Sequence, residues 1–375
     1  MPAAVKAQPG RVPPERSHLG SEEFERLTSP FRGELLAHCY RMLGSVHDAE
    51  DQVQETLTRA WRSYGEFAGR SSLRTWLYRI ATNTCLRALE TRARRPLPSG
   101  LGAPGEDPAA PLAAARPEVP WLQPIPDALL RAGTDDPAEI AMSRASVRLA
   151  LIAALQYLPA RQRAVLILRD VLGWRSAEVA GLLGTSTAAV NGALQRARAH
   201  LEQAAPAEDE IREPTDPGIQ ALLGRYATAF ENADVAALMR LLRDDAVFEM
   251  PPLPTWYAGR EPIGRFLTAR VLRQPGKFRM IPAAANGQPA FAAYMRGNDG
   301  VHRAHAVQVL TVTPSGLSRV VSFNDSGLLA VFGLPESVPA IPALAPIGVE
   351  SVSQPWLNRL PNWSISSMSI RPKKS

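Results

Sequence analysis

The spacing of apolar side chains predicts helices in two separate parts of the chain. From Val46 to Tyr64, apolar residues recur every three or four positions, which places them on one face of a helix. A second run with this spacing begins at Leu73, and the pattern returns after a long interruption. We therefore predict two all-helical domains, the first over residues 22–95 and the second over residues 138–204.

The segments between and after these domains have other patterns. Prolines are dense from Pro96 to Pro126, which excludes a regular element there, so residues 96–137 are predicted to be a linker. Further on, two helix-like runs precede β-rich runs such as 304–312 and 317–323. Residues 217–336 are therefore predicted to form an α+β domain. We expect disorder in residues 1–21 and 337–375.

Composition narrows the class of protein. A net charge of +6 makes a polyanionic partner plausible. The two cysteines, Cys39 and Cys85, have no metal-ligand spacing and cannot form a disulfide framework, so a reducing cytoplasm is expected and no metal site. The chain has neither a signal-peptide core nor a charge-free apolar run of about 18 residues, which argues against membrane association.

Acidic and basic residues are segregated within the first helical domain. The segment between Ser45 and Thr58 has several acids and no Lys or Arg, whereas the next predicted helix is rich in arginine. Arg79, Asn83 and Arg87 recur every fourth residue and so form one stripe. Arginine pairs with phosphates, and asparagine can hydrogen-bond a base edge. A solvated helix face is the alternative interpretation of the acidic cluster.

Two blocks of the first domain carry a resemblance. YRMLGSVHDAEDQVQETL (40–57) and SLRTWLYRIATNTCL (72–86) resemble region 2 of sigma factors of the extracytoplasmic-function (ECF) group. The resemblance implies that the acidic helix docks on the polymerase clamp through Asp48, Asp51, Gln54 and Glu55. It also implies that a set of basic, polar and aromatic residues faces the minus-10 DNA: Arg70, Arg74, Trp76, Arg79, Asn83 and Arg87. Trp76 has the alternative of packing in the core.

The second domain contains a helix-turn-helix pattern. Ser176 is predicted to cap a helix over 177–183, Gly184 makes the turn, and Ser186 caps a longer helix. A generic helical hairpin is the alternative. The segment resembles sigma region 4, which implies minus-35 contacts from Ser186, Thr187, Ala188, Asn191, Gln195, Arg196 and Arg198. Asn191-Gly-Ala replaces the basic trio common in the family, so base readout is expected to depend on Asn191.

The linker and the third domain also resemble known sigma factors. Trp121 and Leu122 begin an apolar island that resembles a Trp-Leu-Pro linker motif of sigma factors with a SnoaL-like C-terminal domain, and we expect them to make an interdomain contact. An accidental exposed Trp is the alternative. Residues 222–260 resemble the opening of a SnoaL-like (NTF2-like) cone. Four side chains are candidates for lining its pocket, or else ordinary core groups: Tyr226, Trp256, His302 and His305.

The predicted function is that of a sigma factor rather than an enzyme. Relatives of the SnoaL-like fold include isomerases, but Met250 occupies the place of their catalytic base, so no catalytic residue and no cofactor are expected. The implied partners are promoter DNA and core RNA polymerase, through its beta-prime clamp and beta flap. We expect the C-terminal domain to regulate in cis without a separate anti-sigma factor, with a small-molecule ligand possible. The alternative is a DNA-binding regulator whose SnoaL-like domain is catalytic or senses a metabolite.

Overall fold

The computed structural model describes residues 20–67, 69, 71–130, 144–204 and 216–339 of the 375-residue chain. Four helices form the first domain: α1 (Ser21–Thr28), α2 (Arg32–Leu43), α3 (Val46–Ser63) and α4 (Leu73–Glu90). The predicted apolar face of α3 is buried, and the Ser45 hydroxyl caps this helix by accepting from the Asp48 amide at 3.2 Å. Glycine ends α2 because Gly44 adopts a φ of 70°.

The linker and the second domain follow. The described part of the linker contains a 3-10 turn (Pro98–Gly100) and a short α-helix, α5 (Asp127–Leu130). The second domain has α6 (Leu149–Leu155), α7 (Ala160–Leu166), α8 (Ser176–Leu183) and α9 (Thr187–Ala204), and a π-helical turn (Ile167–Val171) extends α7. Ser186 caps α9 as predicted, since its hydroxyl accepts from the Ala189 amide at 3.1 Å. The predicted cap at Ser176 is wrong: Ser176 is already helical, and Glu178 instead accepts from the Arg175 amide at 2.7 Å.

The C-terminal domain is a curved sheet packed on helices. Its helices are α10 (Pro217–Glu231), α11 (Val235–Leu241), α12 (Arg260–Phe266), which a π-helical turn extends, and α13 (Leu328–Val331). Its strands are β1 (Leu242–Glu249), β2 (Trp256–Ala258), β3 (Phe278–Ala285), β4 (Gln288–Arg296), β5 (His302–Thr313), β6 (Gly316–Phe323) and β7 (Ser337–Val338). The strand order is β2-β1-β6-β5-β4-β3, with β1 and β6 parallel and β7 paired with β5. Helical domains followed by an α+β domain confirm the predicted fold class.

One boundary differs from the prediction. Disorder was expected from residue 337, but Ser337 and Val338 pair with Arg303 and His302 at the start of β5. Composition could not reveal this strand, because its stability depends on a partner strand distant in sequence. The remaining segments predicted to be disordered, 1–19 and 340–375, lie outside the described residues.

A single apolar core joins the three domains. It includes Tyr40 of the first domain, Ile125 of the linker, Leu149 of the second domain, and Ala290 and Val307 from the sheet of the C-terminal domain. A second core lies between the sheet and helices α10–α12. The linker is therefore packed against its neighbours. Within the described ranges, no helix is both long enough and apolar enough to cross a membrane.

Candidate functional site

The four predicted core-binding residues of α3 fall into two environments. Asp51 and Gln54 are exposed, and Glu55 is half-exposed with its carboxylate 2.5 Å from Arg59. Asp48 is different: its side chain is only 15% exposed and accepts from Arg92 at 2.6 Å and from Arg95. The negative charge of Asp48 is thus neutralised within the chain.

The linker covers the first turn of α3. The Gln123 amide donates to the Gly44 carbonyl at 3.0 Å, and the Ser45 hydroxyl donates to the Gln123 side chain at 2.6 Å. Arg95, which holds Asp48, also donates to the Trp121 carbonyl at 2.9 Å. Docking of the linker and masking of Asp48 therefore share one guanidinium.

The predicted minus-10 residues are partly brought together. Arg79, Asn83 and Arg87 are exposed along one face of α4. Arg74 is tied to Glu34 at 2.6 Å and lies over the Tyr78 ring. Trp76 is partly buried, with its ring 4.8 Å from that of Phe67 and packed against the core, and Arg70 lies outside the described residues.

The seven predicted minus-35 residues, from Ser186 to Arg198, are all exposed at the start of α9 or along it. Besides Ser186, which caps α9, two of them already have partners on other elements. The Ser176 hydroxyl donates to Asn191 Oδ1 at 2.7 Å, and Arg198 makes two bonds to Asp170, at 2.7 and 2.9 Å. The first contact fixes the Asn191 amide so that its Nδ2 group remains available to donate to another acceptor.

The C-terminal domain contains a small apolar cavity. The space inside it is about 10 Å³, the size of one water molecule. Apolar side chains and one tyrosine line it: Tyr226, Phe230, Leu238, Leu242, Phe248, Ile263, Leu267 and Val320. Burial raises the pKa of Tyr226, whose hydroxyl donates to Gln308 at 2.9 Å, so this group is a neutral, satisfied core residue.

The other three predicted pocket residues do not line this cavity. The Trp256 indole donates to the linker carbonyl of Gly102 at 3.0 Å. His302 contacts the Gly276 carbonyl at 3.2 Å, and His305 packs near Phe278. The sequence alone could not show which of these residues line the cavity, because aromatic residues in a cone-shaped domain occur on both faces of the sheet.

The place of the catalytic base is apolar, as the sequence indicated. Met250 is buried. The preceding carboxylate, Glu249, is fully buried but accepts from the Ser99 amide at 2.9 Å and from Arg319 at 2.5 Å. Glu249 therefore anchors the linker, and no carboxylate lines the cavity described above.

The linker motif contacts other domains through the Trp121 carbonyl and through the residues that follow it. The Trp121 indole is 9% exposed and donates to Arg116 within the linker at 2.8 Å. Leu122 and Ile125 are fully buried in the shared core. Asn286 of the C-terminal domain binds the main chain of Ile125. The Ile125 amide donates to Asn286 Oδ1 at 3.1 Å, and the main-chain amide of Asn286 donates to the Ile125 carbonyl at 3.0 Å.

Asn286 was not among the residues predicted from the sequence. Its Asn-Gly pair between two strands is a common hairpin signal and would have located the turn, though not its contacts. Two buried arginines between the helical domains were not predicted either. Arg41 donates to the Ser146 hydroxyl at 2.6 Å, and Arg163 donates to the Met42 carbonyl. Burial lowers the pKa of each arginine to about 10, which leaves both charged at neutral pH.

Comparison with known proteins identifies the three domains. Residues 27–95 match the Sigma-70 region 2 family, residues 148–201 match Sigma-70 region 4, and residues 223–320 match the SnoaL-like domain family. The chain is 54% identical to the ECF RNA polymerase sigma factor SigG of Mycobacterium tuberculosis. The alignment spans 321 residues and covers 84% of this chain and 85% of that protein. The chain belongs to the ECF sigma factors.

A second relative supports the same arrangement of domains in this ECF sigma factor. The sigma factor SigJ of Mycobacterium tuberculosis is 30% identical over 302 residues, covering 78% of this chain and 86% of that protein. Its crystal structure aligns with a TM-score of 0.56 at 25% identity, over 84% of this chain and all of that one. Regions 2 and 4 and the SnoaL-like domain were each expected from the sequence, and the resemblance is confirmed.

Proposed function

We propose that this ECF sigma factor binds core RNA polymerase through α3 and is held by its SnoaL-like domain in a closed arrangement that polymerase must open. The observation that carries the proposal is the state of Asp48. Asp51 and Gln54 are exposed for a partner, whereas Asp48 is neutralised by two arginines, one of which also bonds the linker. The closed arrangement therefore offers only part of the proposed clamp-binding surface.

Promoter contacts are assigned to two exposed helix faces. The Arg79, Asn83 and Arg87 stripe on α4 presents charge and amide groups suited to minus-10 DNA. The exposed face of α9 supplies minus-35 contacts, with Asn191 reading a base and Arg196 and Arg198 binding phosphates. Because Arg198 pairs with Asp170, its phosphate contact replaces an existing ion pair and adds little net affinity at high salt.

The SnoaL-like domain regulates in cis because it binds much of the linker. Linker amides donate to its Trp256 and Pro252 carbonyls at 2.7 and 3.0 Å, and the Arg270 side chain donates to the linker carbonyl of Ala109. Together with the Ser99–Glu249 contact, these bonds hold the connection between regions 2 and 4 on one surface. A domain attached in this way performs the occluding role of an anti-sigma factor without a separate chain. Met250 stands at the place of the catalytic base, and no carboxylate lines the cavity described above, which favours this structural role over catalysis.

Run-off transcription with purified full-length chain and core polymerase tests the proposal. Trp121→Ala should loosen the linker and increase both core affinity and transcript yield. Leu101→Ala is the matched control, because Leu101 is a linker residue that is 42% exposed. Truncation before the SnoaL-like domain is less informative, since it would expose Ile125 and Leu149 of the shared core.

Two outcomes would contradict the proposal in different ways. If the wild-type chain neither binds core nor yields promoter-dependent transcript, the polymerase role is wrong. If Trp121→Ala and Leu101→Ala behave alike, cis regulation through the linker is wrong.

A further inference from the structure

We infer that the β-turn Asn286–Gly287, at the tip of the β3–β4 hairpin, is the latch that holds regions 2 and 4 closed and that polymerase binding must release. The inference rests on the proposed cis regulation and assigns it to one turn. Groups of this turn form hydrogen bonds with region 2, with the linker and with the start of region 4.

The turn has a geometry that suits insertion. Ala285 pairs with Gln288 across a two-residue loop, and both loop residues have positive φ, 58° at Asn286 and 66° at Gly287. A type I′ hairpin requires these signs, and the Asn-Gly pair satisfies them at low cost. The hairpin tip is therefore narrow, rigid and set by local sequence.

The Asn286 side chain is fully buried, and its hydrogen bonds go to three separate segments. Its Nδ2 group donates to the Tyr40 hydroxyl of region 2 and to the Val147 carbonyl before region 4, each at 2.8 Å. Its Oδ1 accepts from the Ile125 amide of the linker at 3.1 Å. The Tyr40 hydroxyl in turn donates to the Gln123 carbonyl at 2.7 Å.

The neighbouring residues extend the contact. The Gly287 amide donates to Asp127 of the linker at 2.8 Å, and a Cβ at Gly287 would lie 2.6 Å from the Arg144 carbonyl. Gln288 accepts from the Leu149 amide of region 4 at 2.9 Å while donating to Thr311 at 3.0 Å. The turn therefore fits its site closely, with no room for an added side chain at Gly287.

These contacts favour a latch over an ordinary core position. The three side-chain bonds of Asn286 described above all leave its own domain, so the amide serves the interface and is not needed for the hairpin itself. When the closed arrangement opens, water must solvate all of these polar groups at once. The contacts are therefore released cooperatively. The linker held by Asn286 also bonds Ser45 and Arg95, so releasing the turn frees an arginine that neutralises the proposed clamp-binding residue Asp48.

Hydrogen exchange and polymerase binding on the full-length chain test this assignment. Asn286→Gly keeps a turn with positive φ and removes the amide, and Asn286→Asp keeps Oδ1 and removes both donors. Asn298→Gly is the matched control, since Asn298 is an exposed asparagine in another loop of the same domain. Exchange is followed in peptides spanning 121–127 and 146–152, and core affinity and run-off transcription are measured in parallel.

Both Asn286 variants should speed exchange in the two segments by about ten- to a hundred-fold, as expected for losing two or three buried hydrogen bonds. The affinity of both variants for core polymerase should increase in parallel with their exchange rates, whereas Asn298→Gly should change neither the exchange rates nor this affinity. Unchanged exchange in both Asn286 variants would show that the turn is not a latch. Faster exchange with unchanged or weaker core binding would show that the contact does not restrain polymerase binding. Failure of the wild-type chain to bind polymerase would instead refute the proposed function, leaving the exchange result to report on the turn.

Discussion

Arg95→Met is the substitution that most sharply separates masking of Asp48 from a direct role of the surrounding charges. The Arg95 side chain is 15% exposed and bonds both the Asp48 carboxylate and the Trp121 carbonyl. Methionine preserves the packing of the aliphatic stem and removes both bonds. The variant should therefore remove one of the two arginine partners of Asp48 and loosen the linker at the same time.

The magnitude follows from the two lost bonds. Charge-assisted hydrogen bonds contribute about 1.5–3 kcal/mol each, and solvation of the freed groups in the open state returns part of that sum. A net loss of about 2 kcal/mol from the closed arrangement corresponds to about a 30-fold change in the closed-to-open ratio. Where the closed form dominates, the apparent affinity for core polymerase should improve by a similar factor.

Two further arginines supply the comparison. Arg92 also pairs with Asp48 but is 37% exposed and has no described bond to the linker, so Arg92→Met should improve core affinity only about five-fold or less. Arg62→Met removes an equal charge from the exposed face of α3 and controls for electrostatics. Fluorescence anisotropy titrations with labelled protein and core polymerase give the three dissociation constants. The reasoning is refuted if Arg95→Met binds core no more tightly than Arg62→Met.

Other predictions concern promoter readout, acid stability and the turn. Asn191→Ala should relax specificity at one or two minus-35 positions by about 1–3 kcal/mol in a promoter-library selection, and Ser176→Ala should broaden the same positions by freeing the amide. Arg198→Ala should instead weaken all sequences alike and reduce the salt dependence of DNA binding; an effect confined to one base pair would contradict its phosphate role. Burial lowers the pKa of His38 from 6.5 to about 3, so the unfolded chain takes up a proton first as pH falls and folding stability decreases between these values. His38→Gln should remove up to about 1.4 kcal/mol per pH unit of that loss in urea titrations, and an unchanged slope would show that other groups control it. Gly287→Ala should destabilise the chain by about 2 kcal/mol or more in thermal unfolding because of the positive φ and the nearby Arg144 carbonyl, whereas a change near zero would mean that the backbone moves freely there.

The sequence predicted the local elements well because they depend on local information. The buried face of α3 follows from a three-and-four spacing, and the cap at Ser186 follows from a hydroxyl before an apolar run. The exposed faces of α4 and α9 carry their polar residues as predicted. The assignment to ECF sigma factors also depended on contiguous motifs, which a single sequence displays completely.

Contacts between distant segments could not be predicted in the same way. Asn286 is 246 residues from Tyr40, and nothing in either local sequence specifies the other. The linker prolines correctly excluded a long regular element, but burial of Ile125 depends on a sheet that the linker sequence does not encode. Likewise, the charge of Asp48 is neutralised by Arg92 and Arg95, which lie near the end of the same domain in the sequence.

The distance between regions 2 and 4, measured with and without core polymerase, shows directly whether polymerase opens the closed arrangement. Fluorophores at Arg62→Cys on α3 and Ala199→Cys on α9 occupy exposed positions, whereas the two natural cysteines are buried. We expect one short distance in the free chain, a longer distance when core polymerase is added, and a partial shift in Asn286→Gly without polymerase. A labelled chain that binds polymerase with its inter-region distance unchanged would contradict it.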